Sequence, residues 1–224
     1  MQQQEIIKMF DEIAPTYDLV NKIVSFGIDK KWREEGIKEI FKFIKPNKVL
    51  DVACGTGDMI EIWQKYNLEI CGIDPSKGML KVAKKRFKDV KFYNSYATEI
   101  PVKDKCADVI SISFGIRNVI DIKQAINEFH RVLKDGGIVL VLEFIKEDKK
   151  QILREVVNFY SNKILPKIGG LISNNKKAYE YLPNSIENFY TMEELIKLFE
   201  HKFNTLEAKK MNFGQVGMFI FKKK

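Results

Sequence analysis

The chain has 224 residues, of which 45% are hydrophobic, and its formal net charge is +8. This length suits one α/β domain with added segments and excludes two large independent domains. No run of about 18 apolar residues exists, and Met1–Glu5 lacks the apolar core of a signal peptide. We therefore expect a cytoplasmic protein that at most contacts the inner face of the cytoplasmic membrane.

The basic residues, cysteines and histidines point to no nucleic-acid or metal site. Of 38 basic residues only five are arginines, and the lysines are scattered over nearly every segment. A nucleic-acid groove would interleave arginine with aromatic residues, so we expect a solvated lysine-rich surface, with weak attraction to an anionic membrane as the alternative. Metal-ligand spacing is absent among Cys54, Cys71, Cys106, His130 and His201.

Hydrophobic periodicity predicts an N-terminal helical unit followed by regular alternation of strands and helices. Helices are expected at residues 2–14, 30–43, 59–66, 76–88, 121–134, 151–165 and 191–202. Parallel strands are expected at residues 48–52, 69–74, 90–93, 107–114 and 138–144, and a hairpin at 204–212 and 217–221. The three final lysines are expected to fray.

Five strand–helix units of this kind form a parallel sheet that is covered on both faces by helices. The hairpin brings the sheet to seven strands. Ligands bind at the carboxyl ends of such strands, where the strand order reverses. Six polar side chains fall at or just past these ends: Asp51, Asp74, Tyr96, Ser113, Arg117 and Glu143.

The most informative stretch is Val49–Asp58. An apolar strand ends on Asp51, and the chain then turns through Gly55 and Gly57 into a helix. Glycine adopts positive φ without steric cost and lets a ligand approach the backbone closely. Asp74, at the end of the next strand, suits a ribose diol, which offers two O–H donors to an acceptor.

Two nucleotide-type ligands are compatible with this loop. Dinucleotide-binding folds need a third small residue three places after the second glycine, where this chain has Ile60. Asp51 would repel a pyrophosphate but attract the ammonium group of S-adenosylmethionine. The pattern Asp-x-x-x-Gly-Thr-Gly-Asp resembles the cofactor loop of class I S-adenosylmethionine-dependent methyltransferases, which have a Rossmann-like fold. A glycine-rich turn without a ligand is the alternative, and we favour cofactor binding.

Further segments carry a closer resemblance, in order and over nearly the whole chain. They are Tyr17–Asn21, Ser25–Gly27, Trp32–Arg33, Leu50–Asp58, Ile112–Asn118, Val141–Phe144 and Tyr181–Ile186. These segments resemble the ubiquinone/menaquinone biosynthesis C-methyltransferase family. The cofactor-binding residues expected from the loop and from this resemblance are Asp51, Gly55, Thr56, Gly57, Asp74, Tyr96, Ala97 and Ser113. Family members usually carry Asn or Asp where this chain has Tyr96.

The resemblance implies methylation of a ring carbon of a polyprenylated quinol. Demethylmenaquinol is favoured, and a demethylated ubiquinol precursor stays open. We expect Arg117 to stabilise the developing phenolate, directly or through a water, with Asn118 orienting it and Tyr17 or Glu143 completing the network. The structural alternatives are a surface arginine and a core-lining tyrosine. The rival functions are methylation of RNA or of another small molecule, and cofactor binding without catalysis.

We expect one methyltransferase domain with four parts: an N-terminal helical cap (1–45), a cofactor-binding core (46–144), a lid or substrate insertion after strand five (145–190), and a C-terminal helix and hairpin (191–224). Apolar residues of the insertion are candidates for a channel around the polyprenyl tail, or for ordinary core: Phe159, Tyr160, Leu165, Ile168, Leu171 and Ile172. A second copy of the chain, forming a homodimer, is a further partner that the sequence leaves open.

Overall fold

The computed structural model describes residues 2–25, 27–146 and 176–224. The helices are α1 Gln3–Ile13, α2 Tyr17–Val24, α3 Ile28–Phe43, α4 Asp58–Trp63, α5 Lys77–Arg86, α6 Ile122–Val132, α7 Lys176–Glu187 and α8 Met192–Phe199. The strands are β1 Lys48–Val52, β2 Glu69–Asp74, β3 Lys91–Asn94, β4 Ala107–Ser113, β5 Leu133–Phe144, β6 Phe203–Met211 and β7 Val216–Lys223. The predicted helix 151–165 and the predicted tail channel lie outside the described residues.

The seven strands form one sheet in the order β3-β2-β1-β4-β5-β7-β6. β1 to β5 pair in parallel, whereas β7 runs antiparallel to both β5 and β6. The prediction of a mostly parallel seven-stranded sheet is therefore confirmed. The strand order reverses between β1 and β4, which places the expected ligand site at their carboxyl ends.

Two apolar clusters cover opposite faces of the sheet. One contains the buried side of α6, with Ile126 and Phe129, together with Phe199 of α8. The other contains Ile37 of α3 and Trp63. Because both faces of the central strands are covered, Ile138–Leu142 of β5 is fully buried and continuously apolar, as expected for a central strand.

Two of the predicted segments differ in the structure. β5 begins at Leu133 instead of residue 138, because Leu133 pairs with Ala107 before a register shift in the β4–β5 ladder. The prediction of a frayed lysine tail is wrong: Lys223 ends β7, its side chain is buried, and its Nζ donates to the Leu133 carbonyl at 2.8 Å. A buried ammonium is tolerated there because the carbonyl accepts its hydrogen bond.

Two helices, α2 and α7, were not predicted. α7 contains Pro183, a residue that usually ends a helix, and α2 is only eight residues long. Both pack against α1, where Val20 of α2 is fully buried and Tyr181 and Leu182 of α7 cover the same apolar cluster. No helix among the described residues is long and apolar enough to cross a membrane.

Candidate active site

A cleft opens at the carboxyl ends of β1, β2 and β4, between α1 and the loops that follow these strands. Its lining contains eight of the predicted site residues: Tyr17, Gly55, Thr56, Asp74, Tyr96, Ala97, Ser113 and Asn118. The other three, Asp51, Gly57 and Arg117, are not part of the lining. The tertiary structure thus brings most of the predicted residues to one cavity and places three behind its wall.

The two glycines of the β1–α4 loop serve different purposes. Gly55 has φ +55°, and a Cβ built on it would meet no heavy atom within 4 Å, so the cleft is open above it. Gly57 has φ +96°, and its Cβ would lie 2.4 Å from Cε2 of Phe87. Gly55 therefore leaves room for a ligand, whereas Gly57 allows the loop to pack against the protein.

Asp74 connects the ends of β1 and β2. Its Oδ2 accepts a hydrogen bond from the Gly55 amide at 2.8 Å, and its Oδ1 accepts one from the Ser76 amide, also at 2.8 Å. Burial raises the pKa of Asp74 to about 6, against the opposing effect of these two amides. Each oxygen keeps a second lone pair, so the carboxylate can still accept from a ligand O–H group in the cleft.

Asp51 lies at the end of β1, beneath the loop. Its Oδ1 accepts from the Ser111 hydroxyl at 2.7 Å, and Ser111 in turn accepts from Nε1 of Trp63 at 3.1 Å. Its Oδ2 is buried and has no hydrogen-bond partner among the described residues. Burial raises the pKa of Asp51 to about 7. An unpaired buried acceptor of this kind is costly, and a cation or an N–H donor nearby would lower that cost.

The N-terminal helices close the cleft by packing on the cofactor-loop side of the core. Oδ1 of Asp11 on α1 accepts from the Ser76 hydroxyl at 2.6 Å and from the Gly78 amide at 2.7 Å, at the start of α5. A Cβ on Gly78 would lie 2.9 Å from Cα of Asp11, so only glycine permits this approach. On α2, Asp18 accepts from the Thr56 hydroxyl.

Arg86 of α5 ties these pieces together. Its Nη1 donates to the Thr56 carbonyl at 3.0 Å, to Asp18 at 3.1 Å and to Asp58 at 3.0 Å. Nη2 donates to Glu61 at 2.8 Å. One guanidinium therefore links α2, the glycine loop, α4 and α5.

Arg117 lies in the 3₁₀ turn Ile116–Asn118, which follows β4, and forms a buried ion pair with Glu143 at the end of β5. Its side chain is 7% exposed and that of Glu143 is 0% exposed, so the alternative of a surface arginine is wrong. Nη1 also donates to the Phe114 carbonyl at 2.9 Å. Burial raises the pKa of Glu143, although the Arg117 guanidinium opposes that shift. Nη2 of Arg117 has no hydrogen-bond partner among the described residues.

Tyr17 and Asn118 both line the cleft. The ring of Tyr17 packs edge-on against Phe10, with ring centroids 6.1 Å apart, and burial raises the pKa of the Tyr17 phenol. Oδ1 of Asn118 accepts from the Tyr181 hydroxyl at 2.9 Å, and its carbonyl accepts from Nε2 of Gln3 at 3.1 Å. With Arg117 behind them, these groups could bind and polarise a ring oxygen.

Residues 1–223 match the model of the ubiE/COQ5 methyltransferase family. The chain belongs to this family. It is 50% identical, over the full length of both chains, to the ubiquinone/menaquinone biosynthesis C-methyltransferase UbiE of Campylobacter jejuni. It is 36% identical to the demethylmenaquinone methyltransferase of Thermotoga maritima, over 97% of this chain and 96% of that one.

Solved structures support the fold of this ubiE/COQ5 family member. A SAM-dependent methyltransferase from Thermotoga maritima superposes with a TM-score of 0.68 at 19% identity, covering 97% of this chain and 99% of that one. A second, from Aquifex aeolicus, gives a TM-score of 0.61 at 16% identity, covering 85% and 89%. At these identities the likeness shows the fold alone, and the fold is the predicted Rossmann-like one.

One cleft residue of this family member, Arg33 of α3, was not predicted as a site residue. Its buried guanidinium pairs with Asp29, its Nε donates to the Ser113 hydroxyl at 3.4 Å, and its Cζ lies 5.1 Å from the centroid of the Phe114 ring. The available signal was the segment Trp32–Arg33, which the resemblance had singled out without a role. Only the packing of α3 on β5 shows that the Arg33 side chain reaches Ser113 in the cleft.

Proposed function

We propose that the chain transfers the methyl group of S-adenosyl-L-methionine to a ring carbon of a polyprenyl quinol, and that its substrate is demethylmenaquinol. The observation that carries this proposal is the match to the ubiE/COQ5 methyltransferase family over residues 1–223. The Thermotoga relative, named demethylmenaquinone methyltransferase, supports the choice of quinol. Methylation of the ubiquinol precursor is the second candidate, because the Campylobacter relatives carry both pathway names.

The residues around the glycine loop fit the cofactor. Open space above Gly55 leaves room for the amino-acid part, and the unpaired Oδ2 of Asp51 supplies negative charge near an ammonium group. Asp74 lines the cleft where a ribose diol would need an acceptor. Ala97 is positioned for contact with the base through its backbone, and Tyr96 offers an aromatic face. When bound, the cofactor supplies an electrophilic methyl carbon on a positively charged sulfur.

The chain's own residues activate the quinol. A neutral ring carbon is a weak nucleophile, so the site must favour the phenolate, which raises electron density at the ortho carbon. The Nδ2 of Asn118, which lines the cleft and has no hydrogen bond among the described residues, is the donor we assign to that oxygen. Nη2 of Arg117, also without a hydrogen bond among those residues, acts on the oxygen from behind the wall, through its positive charge or through a water. Tyr17 stays protonated because its pKa is raised, and it is therefore a further donor and not the base.

Arginine remains charged and cannot accept the hydroxyl proton, so that proton passes to a water in the cleft, and the Arg117 guanidinium stabilises the phenolate that remains. The ortho carbon then supplies both electrons of the new carbon–carbon bond. The electrons of the bond that breaks would stay with the cofactor, and the ring would lose its proton to water to restore aromaticity. Positioned proton transfer of this kind contributes about 10²–10⁴-fold to the rate.

The test offers demethylmenaquinol and the demethylated ubiquinol precursor side by side, with labelled S-adenosyl-L-methionine. We expect label in the naphthoquinol product and at least tenfold less in the benzoquinol. Label in a supplied tRNA pool, or none in either quinol despite cofactor binding by calorimetry, would contradict the proposal. The first outcome favours an RNA methyltransferase, and the second a binding module without catalysis.

We also propose that the protein contacts the membrane with the edge of the sheet at which the cleft opens. Of the eight large apolar side chains exposed within the described ranges, only Phe43 lies at the opposite edge. The seven others are Leu19, Ile23, Ile28, Tyr96, Ile120, Tyr190 and Phe213. These seven follow the carboxyl ends of the parallel strands or belong to helices and turns packed there. A lipid-tailed substrate would reach the cleft from this side.

Binding to anionic lipid is the natural assay for this edge. Insertion of apolar side chains contributes about 0.8 kcal/mol per buried CH₂, and nearby lysines about 1 kcal/mol each. We expect Ile23→Ser combined with Ile120→Ser to reduce cosedimentation with phosphatidylglycerol vesicles, whereas Phe43→Ser serves as the matched control and should not. Equal loss in both variants would contradict the assignment of the edge. Homodimer formation is a separate proposal, to be measured by sedimentation equilibrium.

A further inference from the structure

One segment singled out in the sequence, Tyr181–Ile186, has no role in the proposed chemistry so far. It forms the second half of α7. Tyr181 and Ser185 are four residues apart, so they lie one turn apart on the same face of that helix. That face meets the 3₁₀ turn containing Arg117 and Asn118.

Tyr181 and Ser185 of α7 each form a hydrogen bond with one residue of the turn. The Tyr181 hydroxyl donates to Oδ1 of Asn118 at 2.9 Å. Nε of Arg117 donates to Oγ of Ser185 at 3.3 Å. The Ser185 hydroxyl proton is itself committed to the Leu182 carbonyl, at 2.8 Å, so Oγ faces Arg117 as an acceptor.

The Tyr181 bond determines which end of the Asn118 amide remains free. A tyrosine hydroxyl that donates must meet the amide oxygen, because the amide nitrogen is only a donor. Burial raises the pKa of Tyr181, so its phenol keeps the proton that it donates. The Asn118 nitrogen is then left as the polar end without a bond to α7. Rotation of the amide by 180° would exchange this bond for one in which the amide nitrogen donates to the phenol oxygen, which is a weaker acceptor than the phenol O–H is a donor, and it would present an oxygen in place of the N–H₂ group.

We propose that Tyr181 is a positioning residue that fixes the Asn118 amide with its N–H₂ group available to the quinol oxygen, and that Ser185 holds Arg117 in the same way. This assignment rests on the proposed function. Neither α7 residue is assigned contact with the substrate. Their effect is transmitted through the orientation of the two side chains in the turn.

The main test is Tyr181→Phe, which removes one oxygen atom and keeps the ring. We expect kcat for the quinol to fall about 10- to 100-fold, while KM for the quinol and Kd for S-adenosyl-L-methionine change by less than about twofold. Tyr66→Phe is the matched control: the Tyr66 ring stacks on that of Phe41, with centroids 4.7 Å apart, and its hydroxyl has no hydrogen bond among the described residues. We expect it to retain the full kcat.

A double-mutant cycle separates positioning from general support of the fold. In an Asn118→Ala background, Tyr181→Phe should cause no further loss of kcat, because the amide it orients is gone. Ser185→Ala should lower kcat by a smaller factor, since its bond to Arg117 is longer. An unchanged kcat in Tyr181→Phe, or a full additional loss in the Asn118→Ala background, would overturn the assignment. Inactivity of the unaltered chain on both quinols would overturn the proposed function and this assignment with it.

Discussion

The buried pair of Arg117 and Glu143 makes a prediction about stability as well as catalysis. Replacing Arg117 with leucine removes the guanidinium and leaves the Glu143 carboxylate fully buried. Breaking a buried pair in this way costs about 3–5 kcal/mol. Two backbone amides, of Arg117 at 3.2 Å and of Phe144 at 2.8 Å, still donate to that carboxylate, so we expect about 3 kcal/mol. This is a large share of the roughly 5–15 kcal/mol that stabilises a typical domain.

The loss should depend on pH, with a definite sign. Burial already raises the pKa of Glu143 above 4.5, its ordinary value, and removing Arg117 raises it further. A protonated Glu143 buries no charge, so the folded state binds a proton that the unfolded state has released. The loss of unfolding free energy in Arg117→Leu is therefore small near pH 5. It grows by about 1.4 kcal/mol per pH unit until the pH reaches the pKa of Glu143 in the folded variant.

Urea unfolding of Arg117→Leu at pH 5 and pH 8, followed by the fluorescence of Trp32 and Trp63, measures this effect. The double variant Arg117→Leu/Glu143→Gln removes both charges and should recover most of the stability at pH 8. We expect it to remain inactive, which would separate the catalytic role of Arg117 from its structural one. If Arg117→Leu is as stable as the unaltered chain at pH 8, or if the double variant is no more stable than the single one, the reasoning is refuted.

Four further substitutions test other parts of the site. With a pKa of about 7, Asp51 should contribute a loss of about 3 kcal/mol of unfolding free energy between pH 5 and 8. Asp51→Asn should remove that contribution in paired urea titrations, leaving the smaller one of Asp74, and should weaken cofactor binding. Gly55→Ala should cost only about 1 kcal/mol of stability but abolish cofactor binding in calorimetry. Gly57→Ala should lower the Tm by more than 5 °C. A larger loss of stability in Gly55→Ala than in Gly57→Ala would contradict the roles assigned to the two glycines. Gly78→Ala should displace α1 from α5 and raise Kd for the cofactor severalfold. Increased proteolysis of α1 would report the displacement. Unchanged binding and proteolysis would show that the contact between Gly78 and Asp11 does not close the cleft.

Local chemistry was enough to predict the fold and the location of the site. Alternating apolar runs and helical periodicity depend on neighbours a few residues apart, so the strands, most helices and the seven-stranded sheet followed from the chain itself. The carboxyl ends of parallel strands meet at one edge, and this geometric rule predicted that Asp74, Tyr96 and Ser113 lie together. α7 was missed because Pro183 disfavours a helix locally, and packing against α1 outweighs that preference.

Which side chains partner one another depended on contacts between residues far apart in the sequence. Arg117 pairs with a carboxylate 26 residues away, and Asn118 with a tyrosine 63 residues away. No periodicity carries such information, because a partner is determined by strand register and by the way helices cross the sheet edge. The same holds for the two glycines of the loop, which look equivalent in sequence. The chain alone determined the kind of site and its place in the fold, and only tertiary packing decided that Gly55 faces the cleft while Gly57 faces Phe87.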